Sequence, residues 1–184
     1  MARLESAATP VGTPAPPFTL PDTRDNQPIA PRDFVGSPLL VVFMCNHCPY
    51  VVHVLDALVE LAGELETRGV RTVAISANDI VAYPQDGPLE MAALAEAQGF
   101  GFPYCFDESQ DVARAYGAVC TPDLYLFDAE HRLYYRGRFD DTRPGRGRAH
   151  GGDLRAAAEA LLAGEVPPSD PAPSIGCSIK WKNA

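Results

Sequence analysis

Five cysteines stand in this chain of 184 residues, and two of them, Cys45 and Cys48, bracket Asn46 and His47. Two thiols at that spacing can close a small disulfide, and the thiolate form of either is the nucleophile. Pro49 follows at once. Proline is favoured at the first position of a helix, which makes Cys48 the cap and leaves Cys45 in the preceding loop. The competing alignment puts Cys45 at the cap as the attacking thiol. A helix N-terminus carries unpaired backbone amides and a partial positive charge, and both favour a thiolate. Each unit by which a thiol pKa falls is worth about 1.4 kcal/mol. His47, if protonated, adds a positive charge next to the sulfur. We take Cys48 as the nucleophile and Cys45 as its nearest partner, with Asn46, His47 and Pro49 as the shell around them. A metal site is the rival: Cys45, His47 and Cys48 offer thiolate and imidazole, as a copper- or zinc-binding chaperone needs. A fourth ligand at tetrahedral spacing is not evident.

The elements that must hold this motif can be read from hydrophobic periodicity. Leu39 to Phe43 is a continuous apolar run of strand length, typical of a strand covered on both faces. From Pro49 to Arg68 apolar residues recur at helical spacing, and Gly69 is a stop signal. The motif therefore lies where a buried strand gives way to a helix, and sites of open α/β sheets lie beyond strand C-termini. Further strands are predicted at Phe18–Leu20, Val70–Ser76, Pro103–Phe106, Leu124–Asp128 and Leu133–Arg138, the last two joined as a hairpin through Ala129–His131. Helices are predicted at Leu89–Gln98, from a Ser109 cap to Tyr116, and at Asp153–Ala163. The order βαβα then ββα predicts an α/β domain with a thioredoxin-like fold, a central mixed sheet flanked by helices.

Eighteen prolines are spread unevenly, which predicts extended ends around a packed middle. We divide the chain into a domain over 1–164, with an N-terminal extension, and a tether with a docking strand over 165–184. In the second part Ile175, Cys177, Ile179 and Trp181 alternate with polar residues, so Cys177 falls on the buried side of a strand. The Pro-rich tether before it could span roughly 30 Å. That is enough to fold over the motif or to clasp a second subunit as a homodimer. Cys105 lies in an apolar segment and reads as core. The Gly-punctuated basic loop over 139–150, and His53, Asp56 and Glu60, read as solvated surface.

Composition bounds the function. With 46% hydrophobic and 21% charged residues the chain is an ordinary globular one. A net charge of -9 disfavours nucleic acid and anionic membrane as partners. An odd number of cysteines and no readable leader predict the cytoplasm, where thiols stay reduced and a structural disulfide framework is not expected. The chemistry calls for no cofactor and no metal. It needs a disulfide or hydroperoxide substrate and an external thiol reductant.

The segments Ala15–Asp22, "CNHCPYV", "VCTPDLYLFD" and "SIGCSIKWK" resemble the redoxin group. That group joins peroxiredoxins of the alkyl hydroperoxide reductase/thiol-specific antioxidant (AhpC/TSA) type to thioredoxin-like thiol–disulfide oxidoreductases. The resemblance implies that Pro122 is a cis proline facing the cysteines, with Thr121 offering its backbone to an extended substrate. It implies that Cys120 lies near Cys48, as a partner thiol or as filler. It also makes Cys177 a candidate resolving thiol, by likeness to peroxiredoxins with a C-terminal one. The thioredoxin offset from the strand phenylalanine, here Phe43, lands on Cys48. Thiol–disulfide exchange is the favoured activity, and thiol peroxidase is the alternative. Against the latter, the threonine of the peroxidase motif is here Cys45, and its late arginine falls at Pro122. Arg136 and Arg138 are the remaining candidates for that arginine.

Overall fold

The structure is a computed structural model and describes residues 3–182. Its strands are β1 (Arg3–Glu5), β2 (Leu20–Pro21), β3 (Pro28–Ile29), β4 (Leu39–Phe43), β5 (Arg71–Ser76), β6 (Tyr104–Phe106), β7 (Cys120–Thr121), β8 (Asp123–Phe127), β9 (Leu133–Gly137) and β10 (Ile175–Ser178). Its helices are α1 (Pro49–Thr67), α2 (Pro88–Ala97), α3 (Asp111–Tyr116) and α4 (Gly152–Leu162).

Five strands form the central sheet in the order β6-β5-β4-β8-β9. The β4, β5 and β6 neighbours run parallel, whereas β8 lies antiparallel to both β4 and β9. The architecture is thioredoxin-like, as the element order predicts. Alternation along β4 divides the core. Leu40 and Val42 face a layer containing Leu124, Leu126 and the buried stripe of α1, from Val51 to Leu65. Leu39, Val41 and Phe43 face the opposite layer with Tyr116, Tyr125 and Phe127. Helix α1 ends as its glycine signal predicts, with Gly69 at φ +86°.

Register sets the site. Phe43 pairs with Asp123. The C-terminal end of β4, which leads to the cysteine motif, therefore meets the N-terminal end of β8, which follows Pro122.

Two expectations are revised. The N-cap of α3 is Gln110, in the left-handed region at φ +67°, and not Ser109. Ser109 still accepts the Asp111 amide at 3.1 Å, while the Asp107 carboxylate accepts the Ala113 amide at 2.9 Å. Two free amides of the first turn thus have side-chain acceptors from the loop before the cap. The strand expected at Phe18–Leu20 reduces to Leu20–Pro21, paired only with β3. The strand read in the tail is β10, the middle strand of a second sheet, β1-β10-β7.

Beneath the sheet, Arg136 and Asp123 form a buried ion pair at 2.8 Å. The guanidinium also donates to Thr9 Oγ1 at 2.6 Å and to the Gly117 carbonyl at 2.8 Å, and it lies 4.5 Å from the centre of the Tyr125 ring. Removing one member of such a pair strands the other charge in the core. Asp123→Ala is expected to lower unfolding stability by roughly 3–5 kcal/mol, with Arg136→Met restoring much of the loss in the double variant. Urea titration of the three variants checks this, and equal stability of Asp123→Ala and wild type would refute it.

Candidate functional site

The cysteine motif takes the position that its proline indicates. Cys48 is the N-cap of α1 with extended backbone, and Pro49 opens the helix. Cys48 is fully buried and Cys45 nearly so. The Thr121–Pro122 bond is cis, as the resemblance implies. As a thiol, Cys48 donates to the Thr121 carbonyl at 3.1 Å, and Cys45 Sγ lies 3.7 Å from Thr121 Oγ1. The two sulfurs and the residue before the cis proline thus form one contact set.

Electrostatics separates the two thiols. The Cys48 pKa is lowered from 9.0 to about 4, above all because the Cys45 thiol donates a hydrogen bond to its sulfur. Burial opposes this, while Thr121, Cys177 and the Val51 amide of the first helical turn assist. Cys45 moves strongly upward: it is the donor of that shared proton, and burial and the Asp86 charge act in the same direction. One sulfur holds the negative charge and the other holds the proton.

A carboxylate that the sequence does not single out, Asp86, sets the shape of the motif loop. It is fully buried and accepts the backbone amides of Asn46 at 2.9 Å and His47 at 3.3 Å. Asn78 Nδ2 donates to it at 2.8 Å, and its Oδ2 lies 2.6 Å from His47 Nδ1. His47 stacks on Tyr83, with ring centres 5.2 Å apart. Asn46 is locked as well: its Nδ2 donates to the Gln85 carbonyl at 3.0 Å, and Tyr104 OH donates to its Oδ1 at 3.1 Å. The available signal was position alone. Asp86 sits in the loop after the second parallel strand, where site residues of α/β sheets gather.

Cys45, His47 and Asp86 bring one ligand atom each within 4.8 Å of one another. The donor set suits zinc or copper poorly, because Asp86 already satisfies three donors besides the imidazole. A metal ion there would have to displace the 2.6 Å contact between His47 and Asp86.

The other thiols and the two arginines lie around this set. Cys177 of β10 lies opposite Thr121 and packs in the same apolar layer as Cys45 and Cys48. Cys120 is buried, with its sulfur 3.9 Å from the Pro122 carbonyl, and lies outside that layer. Cys105 is buried between β5 and the Asp22 bridge, and burial raises its pKa to about 12. Arg136 is held by Asp123, and Arg138 donates to Asp153 at 2.6 Å. Among the described residues no guanidinium hydrogen-bonds the Cys48 sulfur.

The ultraviolet absorbance of a thiolate reports this charge distribution. In the wild type one thiolate is expected to appear as pH rises through about 4. Cys45→Ala removes the main donor and should move that midpoint upward by at least about one unit, or about 1.4 kcal/mol. A wild-type midpoint near that of a free thiol would refute the assignment.

Comparison with known proteins agrees with this geometry. The profile of the AhpC/TSA family matches residues 11–136. A conserved protein from Geobacillus kaustophilus is 46% identical, with a TM-score of 0.97 over 100% of this chain and 98% of that one. A protein of Mycobacterium tuberculosis (strain CDC 1551 / Oshkosh) named as a peroxiredoxin is 30% identical over 115 residues, 62% of this chain and 68% of that protein. The thiol:disulfide interchange protein DsbE of Allochromatium vinosum is 30% identical over 124 residues, 65% of this chain and 62% of that protein. With its thioredoxin-like sheet, its cysteine pair at a helix mouth and a family match over most of its length, the chain belongs to the AhpC/TSA family of redoxins.

Proposed function

We propose that the protein is a thiol–disulfide oxidoreductase in which Cys48 attacks and Cys45 resolves. The supporting observation is the placement of Cys48 at the helix mouth, 3.1 Å from the Thr121 carbonyl beside cis-Pro122, with Cys45 3.7 Å from the Thr121 hydroxyl. The Cys48 thiolate attacks one sulfur of a substrate disulfide, and the other sulfur departs as a thiolate. In the mixed disulfide Cys48 no longer carries charge, so the largest effect that held the proton on Cys45 disappears. Cys45 then gives up its proton and attacks the Cys48 sulfur. The substrate leaves as a second thiol, and a Cys45–Cys48 disulfide remains for an external thiol to reduce. We place this cycle in the cytoplasm, where such reductants are abundant.

Asp86 and His47 serve this cycle by holding the loop. The ring stacking and the paired amides fix the direction from which Cys45 approaches Cys48. A fixed approach matters because exchange needs the three sulfurs nearly in line.

A peroxidase reading draws support from the Cys48-Pro49 pair and from the name of the mycobacterial relative. It lacks a positioned donor for the peroxide. The threonine position of that motif is Cys45, and both candidate arginines are engaged by aspartates.

Stopped-flow mixing of the reduced protein with glutathione disulfide or hydrogen peroxide separates the two. Disulfide should oxidise the protein faster than an equal concentration of peroxide. Cys48→Ser should abolish the reaction, and the Cys45→Ser/Cys177→Ser double variant should stop it at a stable mixed disulfide on Cys48. Faster oxidation by peroxide, leaving sulfenic acid on Cys48, would reverse the assignment.

A further inference from the structure

We propose that β10 is a resident occupant of the edge on which an extended disulfide substrate would pair, and that Cys177 exchanges disulfides with Cys48 inside the chain. This rests on Cys48 being the nucleophile.

Three observations carry it. The first is register: β10 runs antiparallel to β7, with Cys177 opposite Thr121 and Ser178 opposite Cys120. Thr121 is also the residue whose carbonyl takes the Cys48 thiol at 3.1 Å. Cys177 and Cys48 therefore converge on one residue, from the strand side and the helix side. The second is close approach: a Cβ on Gly176 would lie 1.9 Å from the Thr121 carbonyl oxygen. Only glycine lets this strand lie so close over the cis-proline turn. The third is anchorage. Ser174 Oγ donates to the Gly137 carbonyl at 2.7 Å, and the Ile179 amide donates to Val119 at 3.0 Å. Asn78 Oδ1 accepts the Lys180 amide at 2.8 Å. The buried Gln110 donates to the Lys180 carbonyl at 2.9 Å and accepts the Lys182 amide at 2.9 Å. Strand β1 covers the outer edge.

The chemistry balances without a further oxidant. Once a substrate has left a Cys45–Cys48 disulfide, the Cys177 sulfur attacks Cys48. The Cys48–Cys177 bond forms, the Cys45–Cys48 bond breaks, and its electron pair leaves on Cys45. Cys45 receives the proton that Cys177 gives up. Nothing is oxidised or reduced overall, and the disulfide moves from the motif to the tail. In the reduced state Cys177 is held protonated, its pKa raised to about 11 by burial and by donating to Cys48.

The full-length protein, oxidised with one equivalent of glutathione disulfide, quenched in acid and mapped by mass spectrometry, tests this. The wild type should contain both Cys45–Cys48 and Cys48–Cys177 disulfides, and Cys45→Ser should contain the second alone. Gly176→Val should expel the strand. Its Cys48 should then react with a cystine-bridged peptide at least roughly tenfold faster, because the covered fraction no longer limits access. Cys177→Ser keeps Gly176 and the backbone pairing, and it should lose only the tail disulfide. A reactive Cys48 that never pairs with Cys177 in Cys45→Ser overturns this proposal alone, as does an unchanged peptide rate in Gly176→Val. A Cys48 inert toward disulfides in every variant overturns both the proposal and the assignment beneath it.

Discussion

The antiparallel pairing of β4 with β8 is the constraint on which the molecule depends. Phe43 and Asp123 meet at the same level of the sheet, so everything just after the one and just before the other is forced together. Two segments more than seventy residues apart in sequence thereby become neighbours, and a thiol lies 3.1 Å from a carbonyl across that junction. A slip of one residue would turn Leu40 and Val42 to the wrong layer and separate the cysteines from the proline. The buried Arg136–Asp123 pair sits beneath the junction and adds a directional, charge-dependent contact where apolar packing alone is tolerant of sliding.

Most of the sheet was legible because its strands are buried on both faces and its helices are amphipathic. Leu39–Phe43 has the same bounds as the element read from its apolar run. The stripe from Val51 to Leu65 is the buried face of α1. Elements held by long-range partners were not legible. Cys120–Thr121 is two residues long and has no periodicity; it is a strand only because β10 lies against it. Arg3–Glu5 is exposed at every position, so its pairing leaves no mark in the pattern of hydrophobicity. The Ser109 cap failed for a related reason: the left-handed backbone at Gln110, whose side chain is held by Ala77 and the distant tail, moves the cap one residue on.

In the site, residue type and spacing pointed to Cys48 because proline has a strong positional preference and cysteine has few other uses beside it. Asp86 and Asn78 carried no such mark, because an aspartate in a Pro/Gly-rich loop is usually a solvated turn residue. Its burial depends on the Asn46 and His47 amides, which arrive from another part of the chain. Local sequence shows what a side chain can do, whereas contacts distant in sequence decide whether a polar group is buried. The alternation at residues 175–181 does show which side of the tail is covered, but not what covers it.

Asn78 has two clients: its amide nitrogen supports the carboxylate that shapes the motif loop, and its oxygen holds the Lys180 backbone. During synthesis the motif at residues 45–48 leaves the ribosome long before residue 180. Until that last segment arrives, the asparagine is held on one side only and the edge beside Thr121 is bare. The reactive sulfur would then gain its cover only in a late step, and until that step it would lie beside an edge open to any extended chain.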